Sequence, residues 1–186
     1  MKKQVTIRFT TAVYQLKDWL IVAIPKDDSA KLPSRGQLSV HGTLNGYAFQ
    51  TVLEPDGRFS HWMRISDDIQ KSIAVKTGDA VEVEVTTLPT WPEPVLPEDF
   101  RVALHCAPEK VRTIWHEITP MARWEWIRWM NATLNQETRA VRIEKTISKL
   151  NGTHRRPCCF NLAACTEPYL MKNAQLMLPD EVTLNK

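Results

Sequence analysis

The feature that most constrains the fold of this chain is a proline-rich segment, LPTWPEPVLP, at residues 88–97. Before it, apolar residues recur at every second position, which is typical of strands with one buried face. After it they recur every three or four positions, which is typical of amphipathic helices. A chain of 186 residues is long enough for two small domains. The sequence therefore predicts an α+β protein in which a β-rich module precedes a helical one.

The first half carries the signatures of short strands and tight turns. Apolar and polar residues alternate over 5–10 and 80–86. The dipeptide Asn45-Gly46 separates two further strand-like runs, and it tolerates the positive φ angles of a type I′ hairpin turn. We expect five or six strands, including one over 59–65, and a short helix capped by Ser66. This combination predicts a small closed or nearly closed barrel.

The second half shows where helices begin and end. Proline precedes or opens the predicted helices 98–105, 109–117 and 120–133, at positions where its missing N–H costs little. Asn135 is placed to cap a last helix that ends near Asn151-Gly152. The residues expected on the buried faces of the last two helices are Ala122, Trp126, Ile127, Trp129, Met130, Thr133, Leu134, Ala140, Ile143, Ile147 and Leu150. Three or four helices should pack around the tryptophans.

The first module resembles a known bacterial family. The segments VHGTLNGYAF at 40–49 and KSIAVKTGDAVEV at 71–83 combine a V-x-G-T-hydrophobic-N-G hairpin with a G-D-x-V-x-V strand entry. This order of motifs resembles a bacterial β-barrel domain of unknown function. The resemblance implies a double-split β-barrel, related in shape to AbrB and MazE.

The second module resembles another family through three short motifs. They are LPEDF at 96–100, WMNA at 129–132 and ETRAVRI at 137–143. Together they look like the helical module of the bacteriocin-protection, YdeI or OmpD-associated family. The resemblance implies a role in tolerance of bacteriocins or cationic peptides, and it attaches no reaction. The chain departs from the family at Thr133, where the family has a lysine.

These patterns divide the chain into four parts. We expect a β-barrel domain over 1–88, a proline-rich linker over 89–97, a helical domain over 98–152 and a cysteine-containing tail over 153–186. The amino terminus lacks the continuous apolar run of a signal peptide. No segment approaches the roughly 18 apolar residues of a membrane helix. The sequence therefore predicts a cytoplasmic protein without a membrane span.

Basic residues concentrate on the last predicted helix. Residues 139–156 hold six basic residues and one acidic residue. At 100° per residue, three of the cations fall within a sector of roughly 60°, and such a stripe can neutralise phosphates or another polyanion. The candidate ligand-binding residues are Arg139, Arg142, Lys145, Lys149, Trp124 and Arg128. Two alternatives stay open: a solvated helix face with lysines suited to a helix carboxyl end, and Trp124 filling the joint between modules.

The tail offers a possible set of metal ligands. Cys158, Cys159, Cys165 and His154 lie within 12 residues of one another, and Zn²⁺ accepts a Cys3His set. Adjacent cysteines rarely point at one ion as well as a C-x-x-C pair does. We therefore predict reduced thiols, with no metal and no cofactor.

Catalytic motifs are missing from the sequence. No nucleophile elbow, phosphate-binding loop or H-E-x-x-H pattern is present, and the histidines are scattered. His41 and His61 lie on predicted barrel strands, where they could approach each other or act as ordinary polar residues. An enzyme would place a small-molecule site at the seam between barrel and helices, near His61, His116 or Cys106.

The leading hypothesis is a non-enzymatic, cytoplasmic binding protein of a bacteriocin-protection or stress-tolerance family. It would bind an unknown anionic ligand or protein partner through the basic last helix. One alternative is DNA recognition by the AbrB-like barrel, which the balance of 11 basic and 10 acidic residues in 1–90 supports weakly. The other is a small-molecule enzyme with its site at the barrel–helix seam.

Overall fold

The chain forms two compact units. The structure is a computed structural model, described here for residues 4–157 and 167–178. Unit 1 comprises Met1–Thr90 and Leu170–Lys186, and unit 2 comprises Trp91–Tyr169. The proline-rich segment from Trp91 onward thus belongs to unit 2.

Unit 1 is a closed barrel of six antiparallel strands. The elements of 1–90 are β1 Thr6–Leu16, β2 Trp19–Ala23, α1 Lys26–Ser29, β3 Leu38–Leu44, β4 Tyr47–Pro55, β5 His61–Arg64, α2 Asp67–Ile73 and β6 Ala80–Thr87. The strand order is β1-β2-β5-β4-β3-β6, and β6 closes the barrel on β1. The α+β class and the amino-terminal barrel are confirmed.

The alternation of the strands fills the barrel interior. Val81, Val83 and Val85 of β6 are buried, and the residues between them face outward. The predicted hairpin turn is also confirmed, because Asn45 and Gly46 take φ angles of 47° and 83° between β3 and β4. One side of every strand thus supplies the apolar core of the unit.

The turn before β5 differs from the prediction. Phe59 was expected in a strand over 59–65, but β5 begins at His61, and Phe59 has a φ of 72° with 74% of its surface exposed. The carboxylate of Asp56 accepts hydrogen bonds from the backbone N–H groups of Arg58 and Ser60, at 2.7 and 2.8 Å. This side chain stabilises a turn where the apolar pattern alone indicated a strand.

A short hairpin near the carboxyl end completes the described part of unit 1. It consists of β7 Met171–Lys172 and β8 Gln175–Leu176. The backbone N–H of Leu176 donates to the carbonyl of Asp56 at 2.9 Å. A Cβ at Gly57 would lie 2.0 Å from the carbonyl oxygen of Ala174, so the hairpin approaches the turn as closely as a glycine permits.

The described residues of unit 2 form four helices that begin where the sequence predicts. They are α3 Glu98–Cys106, α4 Glu109–Glu117, α5 Pro120–Asn131 and α6 Gln136–Asn151. Thr119 caps α5 through the N–H of Ala122, and Asn135 caps α6 through the N–H of Thr138, at 3.2 and 2.7 Å. The bundle of helices after the barrel is confirmed.

Two tryptophans lie in the core of unit 2, and the buried face of α6 overlaps the predicted one in part, because Ile143 and Leu150 are buried and Ile147 packs against the core. Trp115 and Trp126 are buried, each with a second aromatic ring at an edge-to-face angle. Leu134 is 57% exposed and Ala140 is exposed, so both predictions were wrong. The buried residues of α6 are Arg142, Ile143, Thr146 and Leu150. At 100° per residue, the centre of this buried face lies roughly 60° around the helix from the centre of the expected stripe. Arg139 and Arg142 therefore point toward the bundle.

In the described ranges, no helix is long and apolar enough to cross a membrane.

Candidate functional site

Arg139 is held inside unit 2 by three hydrogen bonds. Its guanidinium donates to both carboxylate oxygens of Asp99 on α3, at 2.5 and 2.9 Å, and to the side-chain oxygen of Asn131 at 2.7 Å. These bonds from Arg139 hold the pKa of Asp99 below its ordinary value. The Arg139 side chain is only 15% exposed. The hydrogen bonds of Arg139 therefore link α6, on which it lies, to α3 and α5.

Arg142 and Lys149 both lie over Trp129. The Arg142 side chain donates to the Trp129 carbonyl at 2.6 Å, and its guanidinium carbon lies 5.5 Å from the Trp129 ring centroid. The Lys149 Nζ lies 6.0 Å from the same centroid and donates to the Pro157 carbonyl at 3.2 Å. Cations within about 6 Å of an indole face are attracted by its electrons. This cluster fastens α6 and the segment after it to α5.

Lys145 occupies the exposed part of the basic stripe. Its side chain forms no hydrogen bond or ion pair with the described residues, and it is exposed on the outer side of α6. Arg155 is also exposed, and its contacts are hydrogen bonds of 3.4 and 3.5 Å to backbone carbonyls near the end of α6. Arg156 lies 3.3 Å from the buried Glu125 carboxylate. The sector predicted from the helical wheel therefore contains both buried and exposed cations.

Trp124 and Arg128 occupy the half-buried side of α5. The indole N–H of Trp124 donates to the Pro92 carbonyl at 2.7 Å, so the proline-rich segment lies along this helix. The structure does not place Trp124 in hydrogen-bond contact with the cations of α6. One residue to its amino-terminal side, Arg123 binds Glu93. Sequence reasoning missed Arg123, although an arginine inside an apolar helical stripe could have indicated a buried ion pair.

The remaining titratable candidates are dispersed. His41 is exposed on β3, whereas His61 is fully buried on β5, with β4 between the two strands. Cys106 and His154 are exposed. The three tail cysteines, Cys158, Cys159 and Cys165, lie outside the described residues. Within the described ranges no three His, Cys, Asp or Glu side chains form a group able to hold a metal ion.

A shallow groove of about 420 Å³ crosses the outer face of the barrel. Outward side chains of β1, β6 and β3 line it, among them Thr10, Glu82 and Thr43. Glu84 also faces the groove, and Arg8 forms an ion pair with it. The residues that line the groove thus supply hydroxyl and carboxylate groups but no imidazole or thiol.

His61 forms a buried polar pair with Ser29. Its Nδ1 lies 2.7 Å from the Ser29 hydroxyl, and its Nε2 lies 3.0 Å from the Gly36 carbonyl oxygen. A carbonyl can only accept, so Nε2 carries the ring hydrogen and Nδ1 accepts from the hydroxyl. A serine that donates to a histidine resembles an activated nucleophile, but both side chains are fully buried. The pair therefore fastens the loop around α1 to β5.

The burial of His61 predicts a loss of stability in weak acid. Burial lowers the pKa of His61 from 6.5, and Arg35 lowers it further, while the hydrogen bond to Gly36 and the charge of Asp56 oppose the shift. Below pH 6.5 the unfolded chain then binds more protons than the folded chain, so stability falls as the pH drops from 6.5 through the folded-state pKa. The slope for one proton is at most about 1.4 kcal/mol per pH unit.

Urea unfolding of the barrel between pH 7.5 and 5 measures this slope. We expect His61→Gln to flatten it, whatever its effect on stability at pH 7.5. His41→Gln is the matched control, because His41 is exposed and the variant should keep the slope of the parent protein. If the slope of stability against pH were unchanged in His61→Gln, groups other than His61 would cause the loss of stability in acid.

Two family models match the chain, and each covers most of the residues of one unit. Residues 9–85 match the model described as "Domain of unknown function (DUF1905)". Residues 93–152 match the model described as "Bacteriocin-protection, YdeI or OmpD-Associated". No curated protein matches the chain.

Proposed function

Because the chain is a DUF1905 domain followed by a domain of the bacteriocin-protection, YdeI or OmpD-associated family, we propose that it is a non-enzymatic cytoplasmic binding protein in bacteriocin protection or stress tolerance. Its ligand is anionic, either a small molecule or an acidic partner. The contact surface is the carboxyl-terminal half of α6 with residues 152–157.

One observation carries the proposal. Residues 145–157 contain four cations and no acidic residue. Lys145 and Arg155 are exposed among them, and Lys149 is half-buried over Trp129. An anion that approaches this end of α6 therefore meets positive charge without a competing carboxylate from the same segment.

The six candidate residues divide into three pairs under this proposal. Lys145 and Lys149 contact the ligand, together with Arg155. Arg139 and Arg142 are positioning residues, because their guanidinium groups bind Asp99 and the Trp129 carbonyl. Trp124 and Arg128 hold the opposite, half-buried side of α5.

The test neutralises two exposed cations without disturbing the bundle. We expect the double variant Lys145→Gln and Arg155→Gln to bind a heparin fragment more weakly than the parent protein. Its plot of log affinity against log salt should flatten by roughly one unit for each cation that contacts the polyanion, because fewer counterions are released. Titration calorimetry at several salt concentrations gives this slope for the parent protein and for the double variant.

The matched control is Lys71→Gln with Lys76→Gln, which removes the same charge from exposed positions of the barrel. This control should retain the parent slope. Equal slopes for the two double variants would show that heparin responds to net charge alone, and would refute the α6 surface.

A further inference from the structure

Phe59 has a backbone conformation that an aromatic residue rarely adopts. Its φ of 72° lies in the left-handed region, where a side chain with a Cβ is strained, yet the ring is 74% exposed and contributes little to the core. Strained residues persist only where the surrounding structure determines them, and they cluster at functional sites. The conformation therefore points to a role outside the folding of the barrel.

The turn that displays Phe59 is rigidly held. The Asp56 carboxylate accepts from two backbone N–H groups of the turn, and the Asp56 N–H donates to the Ser60 carbonyl at 2.9 Å. Across the turn, the Arg35 guanidinium donates to the Phe59 carbonyl at 2.8 Å. Leu176 of the carboxyl-terminal hairpin binds the Asp56 carbonyl. An aromatic ring on such a support binds with little loss of conformational freedom.

The three segments that meet at this turn are basic. Residues 30–37, 57–65 and 170–178 contain five cations and no acidic residue, whereas the rest of 1–90 has seven basic and ten acidic residues. Hydrogen bonds join the first segment to the second, and the third lies against Gly57. The small net charge of the barrel therefore conceals a concentration of positive charge around this turn.

Three of these five cations are exposed to solvent and form no ion pair with the described residues. Arg35, Arg58 and Lys172 are exposed, while Lys31 pairs with Asp28 and Arg64 stacks on Trp19. The one carboxylate in the turn, that of Asp56, is 8% exposed as a residue and already accepts two hydrogen bonds. We call Phe59, Arg35, Arg58 and Lys172 the Phe59 patch.

We propose that the Phe59 patch binds single-stranded nucleic acid, with a base stacked on the Phe59 ring and backbone phosphates neutralised by Arg58, Arg35 and Lys172. An exposed ring stacks on any base, and flanking cations follow the strand, which is the usual combination for binding without sequence preference. In a duplex the bases are already stacked on each other, so the ring has no free base to meet. A single strand is therefore the occupant that uses both features of the patch.

Fluorescence anisotropy with a 5′-labelled oligothymidylate of about 20 nucleotides, at low salt, tests the proposal. We expect Phe59→Ala to weaken binding about tenfold and Phe59→Trp to restore it, since stacking on one aromatic ring has an effect of this size. The duplex of the same length should bind more weakly than the single strand. Equal affinity of Phe59→Ala and the parent protein, or preference for the duplex, would overturn the proposal.

A glycine variant separates binding from folding. Because glycine adopts positive φ without strain, Phe59→Gly should raise the melting temperature of the barrel by about 2 °C and still lose the stacking contact. A lower melting temperature in Phe59→Gly would mean that the ring supports the fold, and would refute its assignment to a ligand.

Charge variants test the phosphate contacts. Arg58→Gln and Lys172→Gln should each reduce the salt slope of oligothymidylate binding by about 0.7, while Lys71→Gln and Lys76→Gln leave it unchanged. The Phe59→Ala effect should persist when Lys145 and Arg155 are both replaced by glutamine, which separates this patch from the α6 surface. If polyglutamate displaced the oligonucleotide as well as unlabelled oligothymidylate did, an acidic protein would be the better partner and the proposal would fail.

Discussion

Replacing Gly42 with alanine should lower the free energy of unfolding of the barrel by about 3 kcal/mol. A Cβ at this position would lie 1.9 Å from the carbonyl oxygen of Glu84 and 3.0 Å from the Cα of Val85. Both atoms belong to the backbone of β6, so no side-chain rotation relieves the overlap. The strands β3 and β6 would have to separate at Gly42.

The position of Gly42 in the barrel increases the effect. Gly42 pairs with Val85 on β6 and with Phe49 on β4, so a displacement disturbs two strand pairings. A closed barrel has no edge strand, and separation of β3 from β6 would create two edges with unpaired backbone groups. The glycine of the V-x-G-T motif is therefore needed for close approach of two strands.

Gly36→Ala is the matched control for this variant. The nearest atom to a Cβ at Gly36 is the Ser34 hydroxyl oxygen, at 3.5 Å, which is an ordinary contact. Urea unfolding followed by circular dichroism should show a change within about 0.5 kcal/mol for this variant, and hydrogen exchange in β3 and β6 should remain slow. If Gly42→Ala behaved like Gly36→Ala, the close approach of β3 and β6 would be wrong.

Local signals were sufficient for much of the fold. Asn45-Gly46 predicted the hairpin because its φ angles are a property of the two residues themselves, and Asn135 predicted a helix start because a cap needs only the next turn. The two family resemblances were confirmed by matches in the same order. These features depend on residues that are near one another in sequence.

The errors concern contacts that are distant in sequence. Ala140 was expected in the core because it continues an apolar stripe, but Arg139 binds Asp99, 40 residues away, and the helix turns accordingly. Phe59 was expected in a strand, but the Arg35 guanidinium and the Asp56 carboxylate hold its turn. Helical periodicity carries no information about partners that are distant in sequence. The sequence therefore could not show which cations of α6 are buried against such partners and which are exposed.

Replacing Arg123 with methionine should lower the free energy of unfolding of unit 2 by about 3 kcal/mol. The Arg123 side chain is 11% exposed and donates four hydrogen bonds. Two go to the Glu93 carboxylate, at 2.8 and 2.6 Å. The others go to the carbonyls of Trp115 and His116, at 2.7 and 3.1 Å, in the last turn of α4.

Most of this loss of stability arises at the carbonyls of α4 that accept hydrogen bonds from Arg123. Carbonyls in the last turn of a helix have no partner within the helix, and methionine fills the volume of the arginine stem without replacing its donors. Glu93 is 64% exposed, so water solvates its carboxylate once the arginine is removed. Glu93→Gln should therefore be milder, at about 1 kcal/mol, because Arg123 keeps its bonds to α4.

Arg101→Met is the control for loss of an arginine ion pair at an exposed position. The Arg101 and Glu98 side chains are 62% and 72% exposed, and their removal should leave stability unchanged because exposed pairs contribute little. Exchange of the Trp124 indole N–H, which donates to the Pro92 carbonyl, should accelerate in Arg123→Met and remain slow in Arg101→Met. Since Arg123 binds Glu93 and Trp124 binds the Pro92 carbonyl, rapid exchange would show that α5 holds the proline-rich segment in place. Equal exchange in the two variants would mean that its prolines alone fix its conformation.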